Sequence, residues 1–154
     1  MAFFIPLGKR QTISGMYHRL FYVLIFLFMN STLQGQGLND FRWKNRVLLL
    51  IEPEGDLVNA REQLALLRAF EQDIEARELV ILVFDGEVIR DKELKVTAIE
   101  PDNITDKNFQ GILLFGKDGG IKLKEPFTVA PILIFDLIDS MPMRQREMRR
   151  KNSP

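Results

Sequence analysis

Val47-Leu48-Leu49-Leu50-Ile51 is an unbroken apolar run that stops at the breaker cluster Glu52-Pro53-Glu54-Gly55. A short run that is apolar at every position and partly β-branched predicts a strand buried on both faces. Leu79 to Phe84 (LVILVF) repeats the pattern. Between the two runs, Asn59 and Glu62 resemble a helix N-cap pair. Leu64, Leu67, Phe70 and Ile74 then recur at helical spacing, with Arg61, Arg68, Glu71, Asp73, Glu75 and Arg77 mostly on other faces. This predicts an amphipathic helix of about 18 residues. Strand, helix and strand of these lengths form a βαβ unit, so the two strands are expected to be parallel.

Residues 85–101 are polar and mixed, with a short strand expected at Leu94–Ile99 and a short helix running from Asp102 to Phe109. Gly111 to Phe115 (GILLF) predicts a third strand. Gly116-Lys117-Asp118-Gly119-Gly120 predicts a tight turn, because Asp-Gly supplies positive φ angles. Ile121 and Leu123 alternate with Lys122 and Lys124, the pattern of a half-exposed antiparallel strand. Pro131 suits a first helical turn, and Ile132, Phe135, Leu137 and Ile138 carry a helix to near Met141-Pro142. The order β-α-β, connection, β-β-α is that of a minimal thioredoxin-like core. It predicts an α/β domain with a mixed central sheet and flanking helices on both faces. Other α/β folds share pieces of this order.

The N-terminal segment reads differently. Residues 1–19 contain Lys9, Arg10, His18 and Arg19 and no acid, and Leu20 to Met29 is an apolar run. Asn30, Ser31, Thr32, Gln34, Gly35, Gln36 and Gly37 follow. A positive start, a short apolar stretch and a small-residue exit predict a secretory signal peptide over residues 1–37, cleaved after Gly35 or Gly37. Met16 offers a second start for the same signal. The apolar run falls short of the roughly 20 residues of a spanning helix, so an uncleaved anchor is the lesser reading. The expected location is therefore periplasmic or secreted, with no stable membrane span after cleavage.

Composition excludes whole classes of chemistry. The chain of 154 residues has no Cys and one His, which is His18. Cleavage removes that His and three of the 21 basic residues, leaving 18 basic against 21 acidic side chains and a net charge of −3. Disulfides, thiolate nucleophiles, iron–sulfur clusters, His-ligated metals and Ser–His–Asp catalysis are all excluded from residues 38–154. No cofactor or metal site is expected. An exported chain without disulfides must rely on its hydrophobic core.

Several phrases carry a family likeness. They are Trp43-Lys44-Asn45-Arg46-Val47-Leu48, Ala76-Arg77-Glu78-Leu79-Val80 and the hairpin Leu114 to Leu123. The most specific is Leu137-Ile138-Asp139-Ser140-Met141-Pro142-Met143-Arg144, followed by Glu147-Met148. Over about residues 38–150 the chain resembles a family of domains of unknown function. That family occurs in short exported bacterial proteins and in vertebrate extracellular-matrix proteins related to sushi-repeat proteins. The resemblance implies a thioredoxin-like, peroxiredoxin-like fold without an established activity. A redox thioredoxin would carry Cys-x-x-Cys at the end of the first strand, where this chain reads Glu52-Pro53-Glu54-Gly55-Asp56-Leu57. Thiol–disulfide exchange is therefore impossible. The proline that a redox member places before its third strand is replaced by Phe109-Gln110.

Few residues stand out as a site. Glu52, Glu54 and Asp56 could bind a cation or act as acid and base, but acids also gather at the positive end of a helix. Lys117 and Asp118 lie in a Gly-rich turn whose amides could cradle a phosphate, although a strand follows where a phosphate loop needs a helix. Arg144, Arg146, Arg149, Arg150 and Lys151 against Glu147 form a basic tail over residues 144–154. The body, residues 38–143, holds 13 basic and 20 acidic side chains. Such a tail is either a frayed, solvated terminus or a contact for an anionic partner. No aromatic residue interleaves with it, so nucleic-acid stacking is not expected. Arg144 is expected to pair with Asp139 or with Glu147, three residues on. Arg46 beside Trp43 reads as a cation–π or packing pair, and Met141 and Met143 as core plugs. Asn103-Ile104-Thr105 is a glycosylation sequon, meaningful only in a eukaryotic secretory pathway.

The weak binding candidates are thus Arg46, Lys117, Asp118, Arg144 and Arg146, with no catalytic residue. The leading reading is an exported, non-redox domain that binds an unknown protein or an anionic ligand. One alternative is an enzyme using carboxylates and Arg/Lys alone around Glu52, Glu54 and Lys117. Another is an envelope or matrix protein docking through the basic tail.

Overall fold

The computed structural model describes residues 36–54, 56–101, 104 and 107–151. The expected signal segment, apart from Gln36 and Gly37, lies outside these residues. So do Asp102 and the sequon positions Asn103 and Thr105. The chain begins with β1 (Gln36–Gly37), a 3-10 turn at Leu38–Phe41, and β2 (Arg46–Ile51). Helices α1 (Val58–Leu67) and α2 (Glu71–Ala76) follow, joined by a 3-10 turn at Arg68–Phe70. Then come β3 (Leu79–Phe84), β4 (Ile89–Arg90), β5 (Ile99–Glu100), β6 (Gly111–Phe115) and β7 (Ile121–Glu125). Helices α3 (Pro131–Ser140) and α4 (Pro142–Lys151) close the chain.

The two wholly apolar runs pair as expected. β2 and β3 are parallel over their full lengths, from Arg46↔Leu79 to Ile51↔Phe84. β6 runs antiparallel to β2, and β7 antiparallel to β6, so the mixed five-stranded sheet has the order β4-β3-β2-β6-β7. Every residue of β2 is buried, because this central strand is covered on both faces. Alternation sends Leu48 and Leu50 to one face, with Leu64, Leu67, Ile134, Phe135 and Ile138 of α1 and α3. Val47, Leu49 and Ile51 point to the other face.

That second face departs from the expectation of helices on both sides. It is covered by Leu38 and Phe41 of the first 3-10 turn and by Ile99, Ile104 and Phe109 of the long connection. The described part of the segment expected as a helix up to Phe109 is a turn at Lys107–Asn108 followed by irregular backbone. The strand expected at Leu94–Ile99 shrinks to a bridge between Val96 and Arg90 and the two residues of β5. Polar side chains, rather than a periodic apolar pattern, shape this connection: Asp91 Oδ1 accepts the N–H groups of Glu93 and Lys95 and turns the chain sharply.

The helix predicted as one piece is interrupted by the 3-10 turn at Arg68–Phe70, where Phe70 packs edge-on against Phe135 at 5.7 Å. Its cap also differs. The N-cap position is Leu57, whose side chain offers no oxygen, and Asn59 lies inside the first turn. Glu52, reaching over from the end of β2, supplies the missing acceptor. Its Oε2 accepts the N–H of Ala60 at 2.8 Å and its Oε1 the side-chain amide of Asn59 at 2.8 Å. The hairpin matches the reading more closely. Gly119 adopts φ +81°, which Asp-Gly was expected to supply, and Asp118 Oδ1 accepts the N–H of Gly120 at 3.0 Å. In β7 only Leu123 packs on the core, whereas Ile121 stays exposed. No helix among the described residues is long and apolar enough to cross a membrane.

Replacing Leu50, fully buried at the sheet centre, with Ala should cost about 2–5 kcal/mol in urea unfolding. Ile121→Ala, at the exposed edge, should stay within about 0.5 kcal/mol of the parent.

Candidate functional site

Arg46 opens β2, and its N–H bonds the carbonyl of Glu78, so the strand's own pairing carries the side chain inward. The residue is 1% exposed. Nη1 donates to the carbonyl of Arg77 at 2.8 Å, and Nη2 reaches both carboxylate oxygens of Glu147 at 3.2 Å. Nε has no partner among the described residues, which leaves Glu147 as the main compensation for a buried charge. The expected pairing of Arg46 with Trp43 does not form; Arg42 lies over that ring instead, at 6.0 Å. Trp43 itself is exposed.

Glu147 belongs to α4 and collects more than one cation. Lys117, at the hairpin tip, lies 2.8 Å from it and also pairs with Glu78. Arg144 lies 3.6 Å from Glu147, donates Nε to Asp139 at 3.0 Å and Nη1 to the carbonyl of Ala76 at 2.6 Å. Asp139 in turn accepts Nη2 of Arg77 at 2.6 Å, and Arg77 bonds Asp73 at 2.8 Å while its guanidinium sits 4.7 Å over Phe135. Arg46, Arg77, Lys117 and Arg144 thus interlock with Asp73, Glu78, Asp139 and Glu147. Cations and carboxylates balance, so the cluster is a closed ionic latch rather than a vacant anion site. It ties α4 to the start of β2, to the α2–β3 junction and to the hairpin. Residues 144–151, read as a tail, are helical here.

Burial alone would raise the pKa of Glu147, but hydrogen bonds from Lys117 and Arg46 outweigh it and hold the carboxyl below its ordinary range. Arg77 shows the same contest. Burial disfavours its charge, yet the bonds to Asp139 and Asp73 push its pKa up.

The remaining sequence candidates separate from this cluster. Asp118 ties its own turn, and its pKa is lowered by the hydrogen bond from Lys122 and by the N–H of Gly120. Arg146 is exposed on α4. Glu52 is 3% exposed and fully engaged at the start of α1, while Glu54 and Asp56 face solvent. The register Val47↔Phe115 puts Lys117 beside the beginning of β2, and Glu52 follows its end. At about 3.3 Å per residue the two lie more than about 15 Å apart. The enzyme reading around Glu52, Glu54 and Lys117 therefore lacks a shared pocket. Among the described residues no group of three or more His, Cys, Asp or Glu side chains could hold a metal ion.

Residues 37–147 match the family described as a domain of unknown function, DUF4174. The chain belongs to the DUF4174 family. The match takes in the whole ionic latch, since Glu147 is its last residue, and leaves out the final basic turn of α4. No curated protein and no solved structure matches the chain. Within this DUF4174 domain, sequence reasoning found Arg46, Lys117 and Arg144, and the expected pairing of Arg144 with Asp139 or Glu147 forms with both. It missed Glu147 as the hub that also meets Arg46 and Lys117, and Arg77 and Glu78 as further partners. The phrases Ala76-Arg77-Glu78 and Asp139-Ser140-Met141-Pro142-Met143-Arg144 contained the signal, because they name both sides of the later ion pairs.

Glu147→Ala should destabilise the domain by about 2–3 kcal/mol in urea unfolding, because it strands Arg46 without its counter-charge. The folded-state pKa of Glu147 lies below the unfolded one. Its stabilisation is therefore complete above the unfolded value of about 4.3 and is lost as pH falls through the folded value. Glu147→Gln should flatten the acid limb of the stability–pH profile in that window.

Proposed function

We propose that this chain is an exported, non-redox, thioredoxin-like domain that works by binding another molecule. The observation that carries the reading is the group at the end of β2. A redox member of the fold carries its thiols where the first strand hands over to the first helix. Here Glu52 fills that place, is buried, and spends both oxygens on the first turn of α1. Residues 38–154 contain neither Cys nor His. The thioredoxin-like assignment is supported by the sheet order, with parallel β3 and β2 followed by antiparallel β6 and β7, and by α1 and α3 sharing one face. Export is supported by the charge and hydropathy pattern of residues 1–37. Kinship with extracellular-matrix proteins rests on the quoted phrases.

The purified protein should show no steady turnover of a disulfide or a peroxide beside a thiol-containing control; sustained turnover of either would overturn the reading. N-terminal sequencing of the exported fraction should begin at Gln36 or Leu38. Retention of Met1 or Met16 would count against export.

A second reading is favoured by the latch. It holds α4 in place with Arg146 and Arg150 exposed and a last turn of Arg149, Arg150 and Lys151. A pinned cationic helix suits a sulfated or carboxylated polysaccharide better than a frayed tail does, because less order is lost on binding. Truncating residues 144–154 would also remove Glu147, so neutralisation is the cleaner test. Arg146→Gln with Arg150→Gln and Lys151→Gln should abolish salt-sensitive retention on a sulfated polysaccharide column; unchanged elution would contradict this reading.

A further inference from the structure

Among the described residues, the outer edge of β3 pairs with no strand over most of its length. The carbonyls of Glu78 and Phe84 accept the N–H groups of Arg46 and Glu52, so even-numbered residues of β3 direct their backbone groups toward β2. Leu79 and Ile81 consequently direct N–H and C=O to the opposite side. On that side β4 pairs only with Val83 and Phe84. Beyond Arg90 the turn at Asp91 ends the pairing with β3: the chain folds back so that Val96 bridges to Arg90, while Asp91 to Glu93 stay alongside the β3 edge without pairing to it. The edge from Leu79 to Leu82 therefore pairs with no strand among the described residues, and the sheet has the geometry to accept one more.

This edge forms the floor of a groove of about 640 Å³. The floor is apolar, built from Leu79 to Leu82 with Ile74 alongside. The rim carries Glu71, Glu75, Glu78, Asp91 and Glu93 against Lys92. Lys92 pairs with Glu71 at 3.2 Å and lies 3.9 Å from Glu93, and Glu78 is engaged by Lys117, so the rim keeps a negative excess after its own pairs are formed. The opposite sheet edge is built differently: β7 is exposed and presents Lys122 and Lys124.

We propose that the β3 edge is a docking site for an extended, cationic peptide segment of another protein, which adds to the sheet as a strand. Main-chain bonds to Leu79 and Ile81 would supply the attachment, and the acidic rim would select Lys or Arg at the positions that flank the floor. A second copy joined edge to edge through β3 would bring two acidic rims together, which charge opposes. A second copy joined through its β7 would leave further edges open and build an unclosed chain. The inference goes beyond the general binding reading and commits to one surface and one partner chemistry.

The test uses a short synthetic peptide of alternating Lys and Val. Its controls are a peptide of alternating Glu and Val, and the Lys–Val peptide with a central Pro. Hydrogen exchange should show the Leu79 and Ile81 amides slowed by about tenfold or more with the cationic peptide and unchanged with either control. Glu71→Lys combined with Glu75→Lys should weaken binding about tenfold, and raised salt should weaken binding to the parent protein as well. Both substituted residues are exposed, and the salt series needs no variant. The proposal is overturned by equal binding of the acidic or Pro-containing peptide, or by protection confined to α4. It also fails if those amides become protected without peptide as protein concentration rises, since a copy of the chain would then fill the edge. None of these results touches the absence of turnover, and turnover of a substrate would leave the groove's test intact.

Discussion

Arg46 places a full charge at the first residue of the central strand, with 1% of its surface exposed. A cation there is tolerable only if a carboxylate is held against it, and the chain supplies one from a helix far away in sequence. The rest of the C-terminal structure follows from that requirement. Helix α4 must pack where Glu147 can reach Arg46. Lys117 must bring the hairpin tip to the same point, and Arg144 must bridge back to Asp139 and the end of α2. A segment dominated by charge, PMRQREMRRK, thereby becomes part of the domain without a buried residue of its own.

The opposite end of β2 is governed by another buried polar residue, with a different result. Glu52 ends the strand and caps α1, joining the first two elements of the βαβ unit through one carboxylate. In the thioredoxin-like reading proposed above, this is the place of the reactive thiols. A carboxylate that accepts three donors at a helix start, the N–H groups of Asn59 and Ala60 and the Asn59 side-chain amide, has little freedom to act on a substrate. That end of the sheet is therefore closed by hydrogen bonds to α1, whereas the cationic side of α4 is exposed and the β3 edge from Leu79 to Leu82 pairs with no strand among the described residues.

Legibility varied with how local each signal was. The strands at residues 47–51, 79–84 and 111–115 were readable because burial on both faces leaves a run of apolar side chains. The hairpin was readable because Asp118-Gly119 carries its own turn chemistry. The connection from Asp85 to Lys95 is less legible, because its conformation depends on side-chain bonds of Asp85 and Asp91 with nearby amides. The sequence neighbour Trp43 suggests itself as the partner of Arg46, whereas the actual partner, Glu147, lies 101 residues away. In the basic tail, spacing identifies Asp139 and Glu147 as partners of Arg144, but net charge does not record that Glu147 also meets Arg46 and Lys117.

By itself the sequence determined the mixed α/β order, the parallel pairing of the first two long strands, and the exclusion of thiol and imidazole chemistry from residues 38–154. Periodicity and residue type suffice for these, since each depends on neighbours along the chain or on atoms that are absent. Only the tertiary structure decided that Arg46, Lys117 and Arg144 form one balanced latch around Glu147, that Glu52 caps α1, and that among the described residues the β3 edge from Leu79 to Leu82 pairs with no strand. Those outcomes depend on which distant segments approach within a few ångströms, and the energy of a charge or of an unpaired backbone group is set by that approach.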